Sequence, residues 1–219
     1  LPIEAGGSGL PHGATAMVMS PNDPSGTILT VQDAVRLSRQ SALLVIDERH
    51  AAYSPRTLLP LVREFENVVV MQTFETWAGL ASLPLAWAVA PPRLAQEIAR
   101  RSRPSGVARL SLVAALATLD DLEAVRARVR RVMLEKGRLF RQLRKLNMIS
   151  VPYPSWANFL LCRFERGSSG FFLPRLEERG IMLYQPPHRE LRNHVRISAV
   201  SADATNALKQ ALIEIALEL

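Results

Sequence analysis

Four short apolar runs punctuate the first ninety residues, and each is followed by polar side chains: Ala16-Met-Val-Met19, Leu43-Leu-Val-Ile46, Val68-Val-Val-Met71 and Leu83 to Val89. Continuous runs of this length, separated by helix-sized stretches, predict a mostly parallel sheet with helices on both faces, an α/β arrangement. The segment from Thr30 to Arg39 reads as a helix with Asp33 near its first turn. Pro91-Pro92 opens a helix to about Arg101, Arg103-Pro-Ser-Gly106 breaks it, and a second helix follows. A long helix is predicted from Asp120 to Leu146, with Leu122, Val125, Val129, Val132, Met133, Leu139 and Leu143 keeping helical spacing. Beyond it the character changes. Trp156–Phe164 reads as a strand, Phe172–Arg179 as a helix, and Gly180–Tyr184 and Val195–Val200 as strands; Ser201 caps a last helix to about Leu217. The organisation expected is therefore a large domain over 1–119, a connecting helix over 120–146, and a small α+β domain over 147–219.

In parallel sheets ligands sit at the carboxyl ends of the strands. The polar groups that fall there are Asp23, Asp47, Glu48, His50, Thr73, Glu75 and Thr76.

Composition changes this picture little. With 219 residues, 48% of them hydrophobic, the chain can build one sizeable core or two modest ones. The net charge of +7 raises nucleic acid as a partner. Yet only Lys136, Lys145 and Lys209 are lysines, and the arginines concentrate on the long helix, where Glu123, Arg126, Arg130 and Arg131 read as a solvated face. No aromatic residues interleave the basic run, so no nucleic-acid partner is expected. No apolar run is long enough to span a membrane, and Leu1-Pro-Ile-Glu4 does not open like a signal peptide. The single Cys162 allows no internal disulfide, and a cytoplasmic location is the default expectation. His12, His188 and His194 show no metal-ligand spacing, so no metal site is expected.

Several motifs in order carry a resemblance. Ser20-Pro-Asn-Asp-Pro-Ser-Gly26 is similar to S-P-N-N-P-T-G, and Val45-Ile-Asp-Glu-Arg-His50 to V-x-D-E-A-Y. Thr73 to Trp87 is similar to T-x-S-K-A-x-G-L-A-G-L-R-x-G-Y. Ala157-Asn-Phe159, Arg179-Gly-Ile-Met-Leu-Tyr184 and His194-Val-Arg-Ile-Ser198 resemble A-N-F, R-G-I-x-V-R and L-R-I-[ST]. From about Ala16 to its end the chain resembles the fold-type-I, class I/II aminotransferases that use pyridoxal phosphate, on the histidinol-phosphate aminotransferase branch. The resemblance implies part of the large domain of that fold plus its small domain. The N-terminal portion that family members carry before S-P-N-N-P-T-G has no counterpart. On that reading both sheet edges are open, and another polypeptide or a second copy is expected to cover them. The non-methionine start is consistent with a fragment or a processed chain.

The same resemblance implies roles. Asp47 matches the aspartate that pairs with the pyridine nitrogen, or else it is a polar strand-end cap. Asp23 replaces an asparagine and His50 a tyrosine at the cofactor's phenolic oxygen; the two are also placed to pair with each other. Glu75, Thr76 and Pro84 stand where the family has serine, the Schiff-base lysine and an arginine, and Thr73 stays at its place. A threonine hydroxyl forms no imine, and a carboxylate opposes a phosphate. Pyridoxal phosphate is thus the cofactor that the family implies, against which these positions argue. Arg196 and Asn158 match positions that hold a small carboxylate substrate, though an internal carboxylate serves Arg196 equally well. Tyr184 replaces a phosphate-binding arginine. Trp77, Trp87 and Trp156 read as packing. Three functions follow: a degenerate member inactive as a transaminase and acting in binding or assembly; an enzyme of the family acting on an amino acid or similar substrate with His50 as base in place of the lysine; or an ordinary aminotransferase once the whole polypeptide is present.

Overall fold

Leu44, Ile46, Val68 and Val70 are wholly buried, as strands covered on both faces require. They lie in a computed structural model that describes residues 13–102 and 106–219. His12, the opening Leu1–Glu4 and residues 103–105 of the expected helix break lie outside the described residues.

Contacts divide the chain into two compact units. One comprises the chain up to Asp23 together with Thr27–Val129; the other comprises Pro24–Gly26 and Arg130–Leu219. In the first unit β1 (Thr15–Met19), β2 (Leu43–Asp47) and β3 (Val68–Thr73) run parallel, and β4 (Ala86–Val89) closes the sheet antiparallel to β3. The register sets Met19 beside Asp47 and Asp47 beside Met71, so the polar residues after three strands emerge at one end of the sheet. Among the described residues β1 and β4 each pair on one side only.

Thr30 caps α1 (Val31–Gln40), its hydroxyl accepting from the Asp33 amide at 3.1 Å and donating to the Asp33 carboxylate. α1 buries Ala34, Leu37 and Ser38. The fourth strand begins at Ala86 rather than Leu83: Pro84 has no N–H for a ladder, and the Leu85 carbonyl accepts from the Phe74 amide and the Thr73 hydroxyl. After β4 come α2 (Pro92–Arg101) and α3 (Arg109–Asp120). The long helix, α4, spans Leu122–Leu143, shorter at both ends than expected, because Asp120 closes α3 and the chain turns after Leu143.

The second unit pairs β5 (Ile149–Ser150), β6 (Phe159–Phe164) and β7 (His194–Ser198) antiparallel. β6 is shorter than expected, since Ser155 to Ala157 are engaged in loop contacts. α5 (Ser169–Glu178) begins earlier than expected because Ser168 caps it through the Phe171 amide. The segment 180–184 is not a strand. Gly180, at φ +74°, ends α5 with its amide on the Glu177 carbonyl, and only Tyr184 bridges to Arg196. α6 (Ala202–Ala216) is capped by Ser201 as expected. The core gathers Leu139, Leu143, Leu160, Phe164, Phe172 and Ile215, with the Phe164 and Phe172 rings stacked at 4.5 Å.

Pro24–Gly26 is held in this second unit by the Trp156 amide, which donates to the Gly26 carbonyl at 2.7 Å. Ser155 in turn accepts from the Ala157 amide and donates to the Phe159 carbonyl. The Lys136 ammonium, buried, donates to the carbonyls of Ser155 at 2.6 Å and Ala157 at 2.9 Å.

Candidate functional site

Asp47 ends β2 with its carboxylate almost entirely buried, and its neighbour two residues on satisfies it. The Arg49 amide donates to Oδ1 at 3.0 Å, while Arg49 Nε and Nη2 donate to Oδ2 at 2.9 and 2.5 Å. These are charge-assisted hydrogen bonds closed within one turn of chain. The same arginine carbonyl accepts from the hydroxyl of Thr76, and the Thr76 carbonyl accepts from the Tyr53 phenol at 2.8 Å. Asp47, Arg49, Thr76 and Tyr53 thereby form one chain of hydrogen bonds at the carboxyl end of the sheet.

The hydrogen bond to Asp47 raises the Arg49 pKa above its ordinary value, burial opposes the rise, and the charges of Asp47, Glu75 and Asp23 add to it. Three carboxylates therefore act on one guanidinium. His50 Nε2 lies 4.0 Å from Asp23 Oδ2, beyond hydrogen-bonding distance, with its ring buried. Glu48 is wholly structural: its carboxylate accepts from the Leu58 amide, the Thr57 hydroxyl and the Gln72 amide group. The Thr73 hydroxyl donates to the Leu85 carbonyl and accepts from the Glu75 amide. Among the described residues no three His, Cys, Asp or Glu side chains converge to hold a metal.

In the second unit the Arg196 guanidinium lies over two rings, 5.0 Å from the centre of Phe159 and 4.6 Å from that of Tyr184. The Arg196 amide donates to the Tyr184 carbonyl and the Ala199 amide to the Asn158 carbonyl. Arg196 and Tyr184 are thus direct neighbours, while Asn158 lies beyond the end of β7 beside Ala199. The Trp77 and Trp87 rings pack on Phe74 at 5.5 and 4.8 Å.

Sequence reasoning passed over Arg49, Tyr53 and Lys136. Arg49 had a signal: it stands in the V-x-D-E-A-Y register where an alanine is usual, two residues after a buried acid. Tyr53 and Lys136 had none, because their partners are backbone carbonyls distant in sequence.

Pyridoxal phosphate does not fit these residues. The acid for its ring nitrogen is saturated by Arg49. The lysine position carries a hydroxyl engaged with a backbone carbonyl, Glu75 stands where the family has a serine, and Asp23 stands where it has the asparagine beside the phenolic oxygen, both carboxylates opposing an oxyanion. Arg49→Ala should leave the buried Asp47 carboxylate with its backbone donor alone. We expect stability, measured by urea denaturation at pH 7, to fall by about 1–2 kcal/mol, the half-exposed arginine limiting the effect.

The family described as aminotransferase class I and II matches residues 14–214. A histidinol-phosphate aminotransferase of Roseiflexus castenholzii is 34% identical over 200 residues, covering 90% of this chain and 54% of the relative. The Arabidopsis thaliana chloroplastic histidinol-phosphate aminotransferase 1 is 33% identical over 198 residues, covering 88% and 46%. Among solved structures, a putative aminotransferase of Burkholderia pseudomallei superimposes with a TM-score of 0.80 at 28% identity, covering 91% of this chain and 61% of that one. The Sinorhizobium meliloti histidinol-phosphate aminotransferase in complex with pyridoxal 5′-phosphate gives 0.82 at 24%, covering 93% and 57%, a likeness of fold. The chain spans about half the length of the curated relatives it matches.

Proposed function

The chain belongs to the class I and II aminotransferase family, and from that premise we propose that it is a member inactive as a transaminase, acting as a binding or assembly component. One observation carries the reading: Arg49 saturates Asp47 while Thr76, at the lysine position, bonds the Arg49 backbone. The groups that would hold and activate a cofactor hold each other instead. Each charged hydrogen bond that a cofactor would go without here is worth on the order of 1–3 kcal/mol, and three of them together amount to several powers of ten in affinity.

Calorimetric titration of the chain with pyridoxal phosphate and with its amine form tests this. We expect no binding in the micromolar range for either. Thr76→Lys with Pro84→Arg should also give no borohydride-trapped adduct by mass spectrometry, since Arg49 and Glu75 remain. Micromolar binding, or an adduct on the double variant, would overturn the reading.

A second reading has its own observation. Asp23 Oδ2 stands 4.0 Å from Nε2 of the buried His50, which places a carboxylate near an imidazole without a direct hydrogen bond between them. It requires turnover with an amino donor that disappears in His50→Ala, and the saturation of Asp47 weighs against it.

A further inference from the structure

Between α5 and β7 the chain borders a surface cavity of about 340 Å³, lined by Gln185, Pro186, Pro187, His188, Arg189 and Arg192. Two guanidiniums and an imidazole line it, and no acidic residue does. Arg163, Arg175 and Arg179 of the same unit pair with Glu165 or Glu218. Among the described residues Arg189 and Arg192 have no such carboxylate, and both are exposed. The cavity is distinct from the Arg196 cluster, since neither Arg196, Tyr184 nor Asn158 lines it.

Local geometry sets the two arginines side by side. Arg189–Leu191 forms a single 3₁₀ turn, and Arg192 continues it at φ −53° and ψ −32°. Side chains three apart eclipse in such a turn, so Arg189 and Arg192 project on one side while the buried Leu191 anchors it. Hydrogen bonds hold the frame. The Gln185 amide group donates to the Ser169 hydroxyl at 2.8 Å and to the Arg192 carbonyl at 2.6 Å, and that carbonyl also accepts from the Ser169 hydroxyl. Asn193 accepts from the Ser169 amide and donates to the Phe164 carbonyl, which fixes the far end of the segment. A cavity held this way spends little ordering entropy on binding.

We propose that this cavity docks an acidic peptide segment of a protein partner, two of whose carboxylates sit on Arg189 and Arg192. Guanidinium forks match carboxylates bidentately, and a basic rim without its own acids favours the complementary sign. A phosphate fits less well, because phosphate sites are built in large part from backbone amides. Here Pro186 and Pro187 have no N–H, and the Leu191 amide is spent on the His188 carbonyl. Nucleic acid fits less well too, since no Phe, Tyr or Trp lines the cavity to stack a base. The proline pair instead offers a wall for the apolar side chains of a peptide.

The cavity gives the binding component proposed above a surface, and rests on that reading. The two fail separately, because the pyridoxal phosphate titration reads the Asp47 end of the first unit and the peptide assay reads Arg189 and Arg192. The test is fluorescence anisotropy of rhodamine-labelled hexaglutamate titrated with the 219-residue chain. We expect saturable binding on the order of 100 μM at about 50 mM salt, weakening severalfold by about 300 mM. Arg189→Glu/Arg192→Glu should weaken it by about tenfold or more. Arg126→Glu/Arg131→Glu, the same change of net charge on α4, should weaken it by less than about threefold. All four arginines are exposed, so circular dichroism should not change in either variant. Absence of saturable binding, or an equal loss in the two double variants, would overturn the proposal. Inorganic phosphate displacing the peptide at concentrations where glutarate does not would overturn it in favour of a phosphate site. Tighter binding of a single-stranded oligonucleotide through the same two arginines would overturn it in favour of nucleic acid.

Discussion

Lys136→Met should destabilise the second unit at every pH and should do so increasingly as pH rises from about 8 to 10.5. Burial lowers the Lys136 pKa to about 8 from an ordinary 10.5. Between those values the unfolded chain binds the proton and the folded chain does not, so folding releases it and stability rises with pH. Below about pH 8 both states are protonated and the full cost of burying the charge is present. The wild-type gain across the window is on the order of 1–3 kcal/mol, and the methionine variant lacks it. Added to this are two carbonyls, of Ser155 and Ala157, left without their donor, at about 1–3 kcal/mol for each buried group left unsatisfied. Urea denaturation at pH 7.5 and pH 10.5 checks both parts. A gap between wild type and variant that stays constant with pH would show that Lys136 folds with an ordinary pKa.

Gly26→Ala should be the second costly change, by about 2–5 kcal/mol. Gly26 sits at φ +75°, where a Cβ strains the backbone by roughly 1–2 kcal/mol. That Cβ would also lie 2.2 Å from Ser155 Oγ and 2.6 Å from Ser155 Cβ. Ser155 does not yield readily, because its hydroxyl bonds two backbone groups and its carbonyl bonds Lys136. The clash adds about 1–3 kcal/mol, as overpacking does. Against a Ser155→Gly background, which removes the two nearest atoms, Gly26→Ala should cost only the backbone part. Denaturation of the four proteins in this cycle measures the difference.

The two central strands, β2 and β3, were legible because they are apolar runs with no alternation, and burial on both faces is the physical reason for that pattern. The residues Leu43–Asp47 and Val68–Thr73 fall almost where the runs do. The misreadings share a cause. Leu83 to Val89 and Gly180 to Tyr184 have strand-like composition, yet Pro84 lacks a donor and the amides of Gly180 and Ile181 are spent closing α5. Hydrogen-bond supply overrode side-chain preference in both. The candidate site was legible as a set of positions, since Asp23, Asp47, His50, Thr73, Glu75 and Thr76 all lie in the first unit around the ends of its strands. Its connectivity was not. That Arg49 turns back onto Asp47 depends on a rotamer and a local turn, and that Thr76 bonds the Arg49 carbonyl depends on how two loops approach. Neither leaves a periodic trace. Arg196 and Asn158 were likewise read by motif as lying near one site, while the two rings flanking the guanidinium emerge only from the pairing of β6 with β7 and from the isolated bridge between Tyr184 and Arg196.

The stretch Pro24–Gly26 belongs to the second unit although the chain on either side of it belongs to the first. The two units are therefore not beads on a string. The loop that sets Trp156 on Gly26 can close only after the intervening polypeptide has been made, and closing so long a loop is entropically slow. During synthesis the second unit must wait for its own beginning and end to meet, and a fragment cut at Arg130 would lack the partner of the Trp156 amide. Excising this unit as an independent folding module would then require carrying the three residues along, for instance by circular permutation.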